Sequence, residues 1–348
     1  MSSLTVDVLG TAVGIAAPTP VLAQLRAILA DLEHARSADR ELVLTPGDQG
    51  FDIHDTGRVI RFGIDPAVAA ATIVWHLNAI AAESTVYVLL HGACVAGPRG
   101  GGVMLVGGSG AGKSTLTAAC VAAGLTYLSD ELAAVDRHTG LVAPYAKPVS
   151  LGSERLVTAS SLGAVASAPI PPTAVVFPRY EPAADLGMVR LDPGWALVAL
   201  TAHATNLAVL GRNALVWLAG LAVTCPAFQL THGDADTAVA AIERAARGAG
   251  RQVTPARVLD PITGDTTTVA VGESLAVLHE PSRRIHLLNP SAAAVWQRAS
   301  GAIGSRNPSS LVDTVLDGSV GSHRDRPVVA VTVERLVRSG LLAAPPGH

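Results

Sequence analysis

Val103-Met104-Leu105-Val106-Gly107-Gly108-Ser109-Gly110-Ala111-Gly112-Lys113-Ser114 is the stretch on which the reading of this chain turns. An unbroken apolar run of strand character meets four glycines in six positions, and a helix-forming stretch from Lys113 to about Ala123 follows without a gap. Gly124 is a fitting stop for that helix, and Leu125–Leu128 reads as a further short strand. Strand, glycine loop, helix and strand in that order predict an α/β fold.

Glycines at these positions have a physical use. Several backbone N–H groups converge on one anion only where the loop is nearly free of Cβ atoms, and the helix that follows adds its positive end. The spacing G-x-x-x-x-G-K-[ST], in the required strand–helix context, therefore predicts a phosphate cradle. Gly107, Ser109, Gly110, Ala111, Gly112, Lys113, Ser114 and Thr115 are the expected ATP-binding residues. Lys113 is expected to bridge the β and γ phosphates and Ser114 to take Mg²⁺. The loop alone does not say whether a triphosphate is hydrolysed, transferred or sensed.

Working outward, Asp130 and Glu131 stand at the end of the strand after the loop helix, with Asp130 17 residues past Lys113. A carboxylate there can accept the proton of an attacking hydroxyl while Glu131 helps hold the metal; alternatively, both carboxylates ligate Mg²⁺. Apolar runs at Val86–Leu90, Ala93–Ala96 and Val103–Val106 enclose a turn of Gly97, Pro98, Arg99 and three glycines, which predicts a hairpin. Leu132–Val135 and Leu141–Tyr145 predict a second one, so that antiparallel strands adjoin a parallel pair. Thr173–Phe177 is another expected strand, and Thr237–Ala246 a helix with Asp236 as its cap.

Of the 25 basic residues only Lys113 and Lys147 are lysines. Arginine's planar fork does not replace a compact, mobile ammonium, so both lysines are candidates for the site. Lys147 has two readings, contact with a phosphate or an acceptor, and a solvated surface charge. Arg179 is a weaker candidate for neutralising transition-state charge.

The region Val86–Pro148 resembles the HPr kinase/phosphorylase family. Ser129-Asp130-Glu131 is similar to that family's Ala-Asp-Asp motif, one helix and one strand past the phosphate loop, and His91 in Leu90-His91-Gly92-Ala93 stands where the family has a histidine. The resemblance implies a P-loop kinase core with a mixed sheet, Asp130 as base, Glu131 as metal partner and His91 as an active-site helper. A histidine hydrogen-bonded within the core is the other reading of His91.

An α+β lead-in is expected before this core, over residues 1–84, from a strand at Leu4–Leu9 and helices at Leu22–Leu32 and Ala67–Ala82. The catalytic domain is then 85–247. The Gly-rich basic stretch beginning at Arg247 places a linker at 248–256 and a last domain at 257–348. Ser274–His279 and Arg284–Leu288 predict a hairpin there, followed by helices near Pro290–Trp296, Ser309–Leu316 and Val329–Val337, closed by Gly340, Leu341 and Leu342. The run Arg284–Trp296 resembles the PqqD-like peptide-recognition fold, a small winged-helix-like module that binds leader peptides of ribosomally made products. It implies that Arg284, His286 and Leu288 lie on an edge strand that a peptide joins.

Composition limits the alternatives. In 348 residues, 49% are hydrophobic and 15% charged, with mean hydropathy +0.40 and net charge −3, which argues against a disordered chain and against a nucleic-acid partner. The most lipid-like run, Ala214–Phe228, is 15 residues long and holds Gly220 and Pro226, too short to span a membrane. No signal peptide is visible at the start, and Cys94, Cys120 and Cys225 form no CxxC pair, so a cytoplasmic location is expected. The readings together predict an ATP- and Mg²⁺-dependent Ser kinase for a precursor peptide held by the last domain, with a homo-oligomer compatible. A kinase for a small molecule or free amino acid, and a nucleotide-gated peptide-binding chaperone, are the alternatives.

Overall fold

Alternation of buried and half-exposed residues begins at the N-terminus, in β1 (Ser3–Val8), and the chain folds back at Leu9-Gly10 into β2 (Thr11–Ala16). This computed structural model describes residues 3–151, 155–259, 265–301, 326–339 and 341–342. Their architecture is mixed α/β. Contacts divide the chain into two units: Met1–Leu191 with Leu200–Leu210 and Thr224–Val253, and Asp192–Ala199 with Gly211–Val223 and Thr254–His348.

In the first unit, α1 (Thr19–Leu29) buries Val21, Leu22, Leu25 and Leu29, the spacing of one helical face. It starts earlier than the apolar pattern predicts because Pro20 sits in its first turn, where a missing N–H costs nothing. β3 (Arg40–Gly47) runs parallel to β2, and β4 (Gly50–Asp55) and β5 (Arg58–Ile64) extend the sheet antiparallel, in order β1-β2-β3-β4-β5. α2 (Ala69–Ala82) follows, close to the predicted span. Residues of this lead-in and of the sheet that follows share one hydrophobic cluster, with Leu25, Ile73, Val95, Leu105 and Tyr127 all fully buried in it.

The second sheet carries the glycine loop. β6 (Tyr87–Ala96) joins the two apolar runs into one strand, and it turns into β7 (Gly102–Val106) with the expected antiparallel pairing, Ala96 opposite Gly102. α3 (Lys113–Ala122) leads to β8 (Thr126–Ser129), then to β9 (Leu132–Asp136) and β10 (Val142–Ala143), the second predicted hairpin. β11 (Val149–Leu151) and β12 (Arg155–Val157) pair with each other, and β13 (Pro172–Tyr180) returns to the main sheet. β14 (Gly187–Leu191), α4 (Pro193–His203), α5 (Leu207–Leu210) and α6 (Arg212–Thr224) precede β15 (Ala227–His232) and α7 (Ala235–Ala246).

The order is β10-β9-β6-β7-β13-β15-β14, with β8 attached to β6. β7 therefore takes β13, not β8, as its parallel neighbour, and β13 pairs in parallel with β15. β8 pairs antiparallel with β6, so the expected parallel pair of β7 and β8 is corrected: β6 lies between them. The cap of α7 is corrected as well. Asp234, in extended conformation, accepts from Thr237 N at 3.1 Å, two residues before the expected Asp236.

The lipid-like run at 214–228 is split between α6 and β15, and no helix among the described residues is long and apolar enough to cross a membrane. The three cysteines are buried and unpaired, with burial pushing the Cys120 and Cys225 thiols up to about 12. The stretch expected as a linker begins as an ordered part of this unit: Arg251 N and Val253 N donate to Pro172 O and Gly140 O.

In the second unit, β16 (Val258–Leu259), β17 (Thr266–Val271), β18 (Ser274–His279) and β19 (Arg284–Leu288) form an antiparallel meander, with β19 last in the order. α8 (Pro290–Gly301) opens as its sequence predicts, with Asn289 Oδ1 accepting from Ala292 N at 2.9 Å. Trp296, Val277 and Leu288 form its core with Val333 and Leu336 of α9 (Arg326–Arg338). Segments 192–199 and 211–223, expected in the catalytic domain, group here; Ala256 N donates to Val216 O at 2.9 Å. The helix expected at Ser309–Leu316, and Gly340, lie outside the described residues.

Candidate functional site

The parallel strands β7, β13 and β15 all end at one cleft of about 820 Å³, the usual position of ligands in such sheets. β7 delivers the glycine loop. Gly110 and Gly112 have φ of +81° and +83°, a region that residues with a Cβ avoid, which accounts for glycine at both. Gly112 closes the loop and opens α3, so Ser114 and Thr115 stand in the first helical turn and line the cleft with Ser109, Gly110 and Gly112. Gly107 and Ala111 belong to the loop but do not line the cleft.

Lys113 is buried, and its Nζ donates to Gly107 O and Gly108 O, 2.8 Å each. Burial lowers its pKa, against the opposing pull of Asp130 and Glu131. Both carboxylates come from the turn after β8, where the sheet sets them beside the loop helix. Asp130 is 5% exposed, and burial raises its pKa against the pull of Lys147, the Ser114 hydroxyl bond and Lys113. Its Oδ1 is buried without a hydrogen-bond partner among the described residues.

Glu131 behaves differently. Burial pushes it up, but Lys147 and the bond from Asn78 outweigh that and hold its carboxyl below the usual range. Lys147 Nζ stands 2.8 Å from Glu131 Oε2, Asn78 Nδ2 donates to the same oxygen at 2.7 Å, and Tyr145 Oη donates to Asn78 Oδ1 at 3.2 Å. Lys147 is thus a buried partner of the acidic pair and not a solvated surface charge. Ser114 turns to Asp130, while the charge of Glu131 is matched by Lys147.

His91 lines the cleft from β6, half-buried, its pKa lowered by burial and then by Lys113. His203 does not line the cleft, but its Cε1 would stand 4.0 Å from a Cβ on Gly108 of the loop, and burial and then Lys113 lower its pKa. Arg179 does not line the cleft; it is exposed and paired with Glu181 at 2.6 Å. Tyr180, His232, Gly233, Asp234 and Ala235 also line the cleft and were not anticipated. Their one sequence signal is a His-Gly-Asp turn between a strand and a helix. Asn78 gave no signal, since it lies 53 positions from Glu131 in an apolar helix.

The residues suit a polyphosphate and a divalent cation. The glycine loop and helix N-terminus offer N–H donors, Lys113 a buried ammonium, and Ser114 with the two carboxylates an oxygen-rich face that includes one unpartnered buried oxygen. No cluster of three His, Cys, Asp or Glu side chains suited to a metal occurs among the described residues, so ligands here would be few and shared with the phosphates.

The second unit has a groove of about 650 Å³ lined by β19 and α9. His286 and Leu288 line it together with Ile285, Thr332, Arg335 and Leu336. Burial lowers the pKa of His286. Arg284 does not line it; exposed at the start of β19, it stands opposite His279. No protein-family model and no curated protein matches the sequence.

Proposed function

We propose that this chain is an ATP- and Mg²⁺-dependent kinase that phosphorylates a serine hydroxyl of a ribosomally made precursor peptide, whose leader is held by the C-terminal unit. The observation that carries this reading is Asp130: buried, with Oδ1 unpartnered, it shares a cleft with the glycine loop and Lys113. Oδ1, which has no partner among the described residues, is the atom assigned to accept a proton from an incoming hydroxyl. Burial raises the pKa of Asp130, which makes its carboxylate a stronger base than that of an exposed aspartate. Lys113 and the loop N–H groups hold the transferring phosphoryl group's charge. Ser114 and Glu131 would hold Mg²⁺, which would supply charge neutralisation on the phosphate tail.

Lys147 sets the charge of the acidic pair through its contact with Glu131, a positioning role. His91 lines the same cleft, and burial favours its neutral ring, which suits it to make one hydrogen bond with the acceptor. Support for peptide capture is the groove beside β19, an edge in its sheet order, with the apolar Ile285, Leu288 and Leu336 along it. Holding the leader makes delivery of the serine intramolecular, so a weak active-site affinity for it suffices.

The test is incubation of the whole protein with MgATP and a leader-bearing, serine-containing precursor peptide, read by mass spectrometry. Wild type is expected to give phosphoserine, Lys113→Ala none, and Asp130→Asn a rate lower by about 10²–10⁴ with ATP affinity retained. Phosphorylation of free amino acids at the same rate as the peptide, or an Asp130→Asn variant that turns over normally, overturns the reading.

A further inference from the structure

β13 and β15 are parallel neighbours whose last residues, Tyr180 and His232, stand opposite in register. Their rings meet, with centroids 5.8 Å apart, and both residues line the cleft. Both lie against the final glycine of the loop. A Cβ on Gly112 would stand 3.4 Å from Tyr180 Cβ and 3.6 Å from His232 Nε2. Tyr180 is 49% exposed, so one part of its ring is open while the other rests on the histidine.

His232 is 1% exposed and Nε2 has no hydrogen-bond partner among the described residues. Its Nδ1 lies 3.3 Å from Asp234 O; a carbonyl only accepts, so Nδ1 donates and Nε2 is the ring nitrogen left for a ligand. A half-exposed aromatic face beside an unsatisfied buried ring nitrogen suits a ligand that brings a flat ring together with polar groups. A nucleoside has both; a bare polyphosphate has no ring. Asp234, whose carboxylate caps α7 through Thr237 N, lines the same cleft.

We infer that Tyr180 and His232 seat the nucleoside end of the bound nucleotide, Tyr180 as a face for the base and His232 Nε2 as a hydrogen-bond partner for the sugar or base. This rests on the loop being a phosphate cradle. The charged end of the cleft, with Lys113 and Asp130, then receives the terminal phosphate, and the aromatic end decides that the phosphates belong to a nucleotide.

The experiment compares MgATP with magnesium tripolyphosphate, by calorimetry, on the whole protein. Tyr180 is half-exposed, so Tyr180→Ala leaves the core intact, which an unchanged melting temperature verifies. Tyr180→Ala is expected to weaken MgATP roughly tenfold or more, the effect of losing a stacking face, and to change tripolyphosphate less than twofold, while Tyr180→Phe binds both as wild type does. Equal losses for the two ligands, no loss for either, or wild type binding tripolyphosphate as tightly as ATP overturns the inference. If wild type binds neither ligand, the cradle itself is refuted and the inference falls with it.

Discussion

Replacing Lys147 by methionine keeps the buried stem and removes only the charge. The ammonium stands 2.8 Å from Glu131 Oε2, with side chains 7% and 43% exposed respectively. At an effective dielectric of about 20 that separation gives a gross attraction of about 6 kcal/mol. Half-exposed Glu131 keeps much of its water and Lys147 regains hydration only on unfolding, so the net value falls between the roughly 0–1 kcal/mol of exposed pairs and the 3–5 kcal/mol of a buried pair broken from one side. About 2 kcal/mol is the expected loss, a fall of about 4–8 °C in melting temperature for a unit of this size.

The functional consequence has a fixed sign. Lys147 lowers the pKa of both Asp130 and Glu131, so its removal raises both, and the acid limb of the pH–rate profile moves to higher pH. The assay is phosphoryl transfer to the precursor peptide across pH 5 to 9, beside thermal melts. Asn78 still holds Glu131 in the variant, so activity recovers as pH rises. An acid limb that stays in place, with a uniformly lower rate at every pH, refutes the carboxylate-pairing role and assigns Lys147 to direct contact with phosphate or acceptor.

Three further outcomes check other parts of the site. Gly112→Ala puts a Cβ at φ +83° and 3.4 Å from Tyr180, so it is expected to lose about 1–2 kcal/mol and most nucleotide affinity; Gly100→Ala, at φ +77° in open space, bears the same strain and binds normally, and equal binding by both refutes the cradle geometry. Asp130→Asn has an effect on stability opposite to its effect on rate. Burial raises the folded pKa of Asp130 above its unfolded value, so stability is lost as pH climbs through that window, and the amide escapes the loss. Its melting advantage over wild type is therefore larger at pH 8 than at pH 4, and an advantage independent of pH contradicts the burial argument. Thr332→Trp fills the groove beside β19 and is expected to weaken leader binding at least tenfold by fluorescence anisotropy while transfer to a leaderless serine peptide is unchanged; retained leader affinity removes the groove from peptide capture.

How much of this was readable in the residues divides along physical lines. The glycine loop, α3, its stop at Gly124 and the acidic pair after β8 are encoded locally: each is a backbone conformation or a helix end that few residue types satisfy. Lys147 was readable by elimination, since an arginine-rich chain retained a lysine there. The hairpin partners β6–β7, β9–β10 and β18–β19 were readable from their turns, but the partners of strands far apart in sequence were not. That β13 takes the other edge of β7 is settled by the packing of the whole sheet. Asn78, Tyr180 and His232 depend on such choices. Asn78 reaches Glu131 because the lead-in and the second sheet share one core, and Tyr180 meets His232 only because β15 pairs with β13 in one register. A slip of one residue in that pairing would turn His232 to the opposite face and leave Gly112 without its neighbour. The chemistry at the charged end of the cleft is thus written in adjacent residues, whereas the aromatic end exists only through a long-range register. Substitutions at Val176, Leu230 and similar buried positions of β13 and β15 should therefore disturb nucleotide selectivity before they disturb phosphate binding.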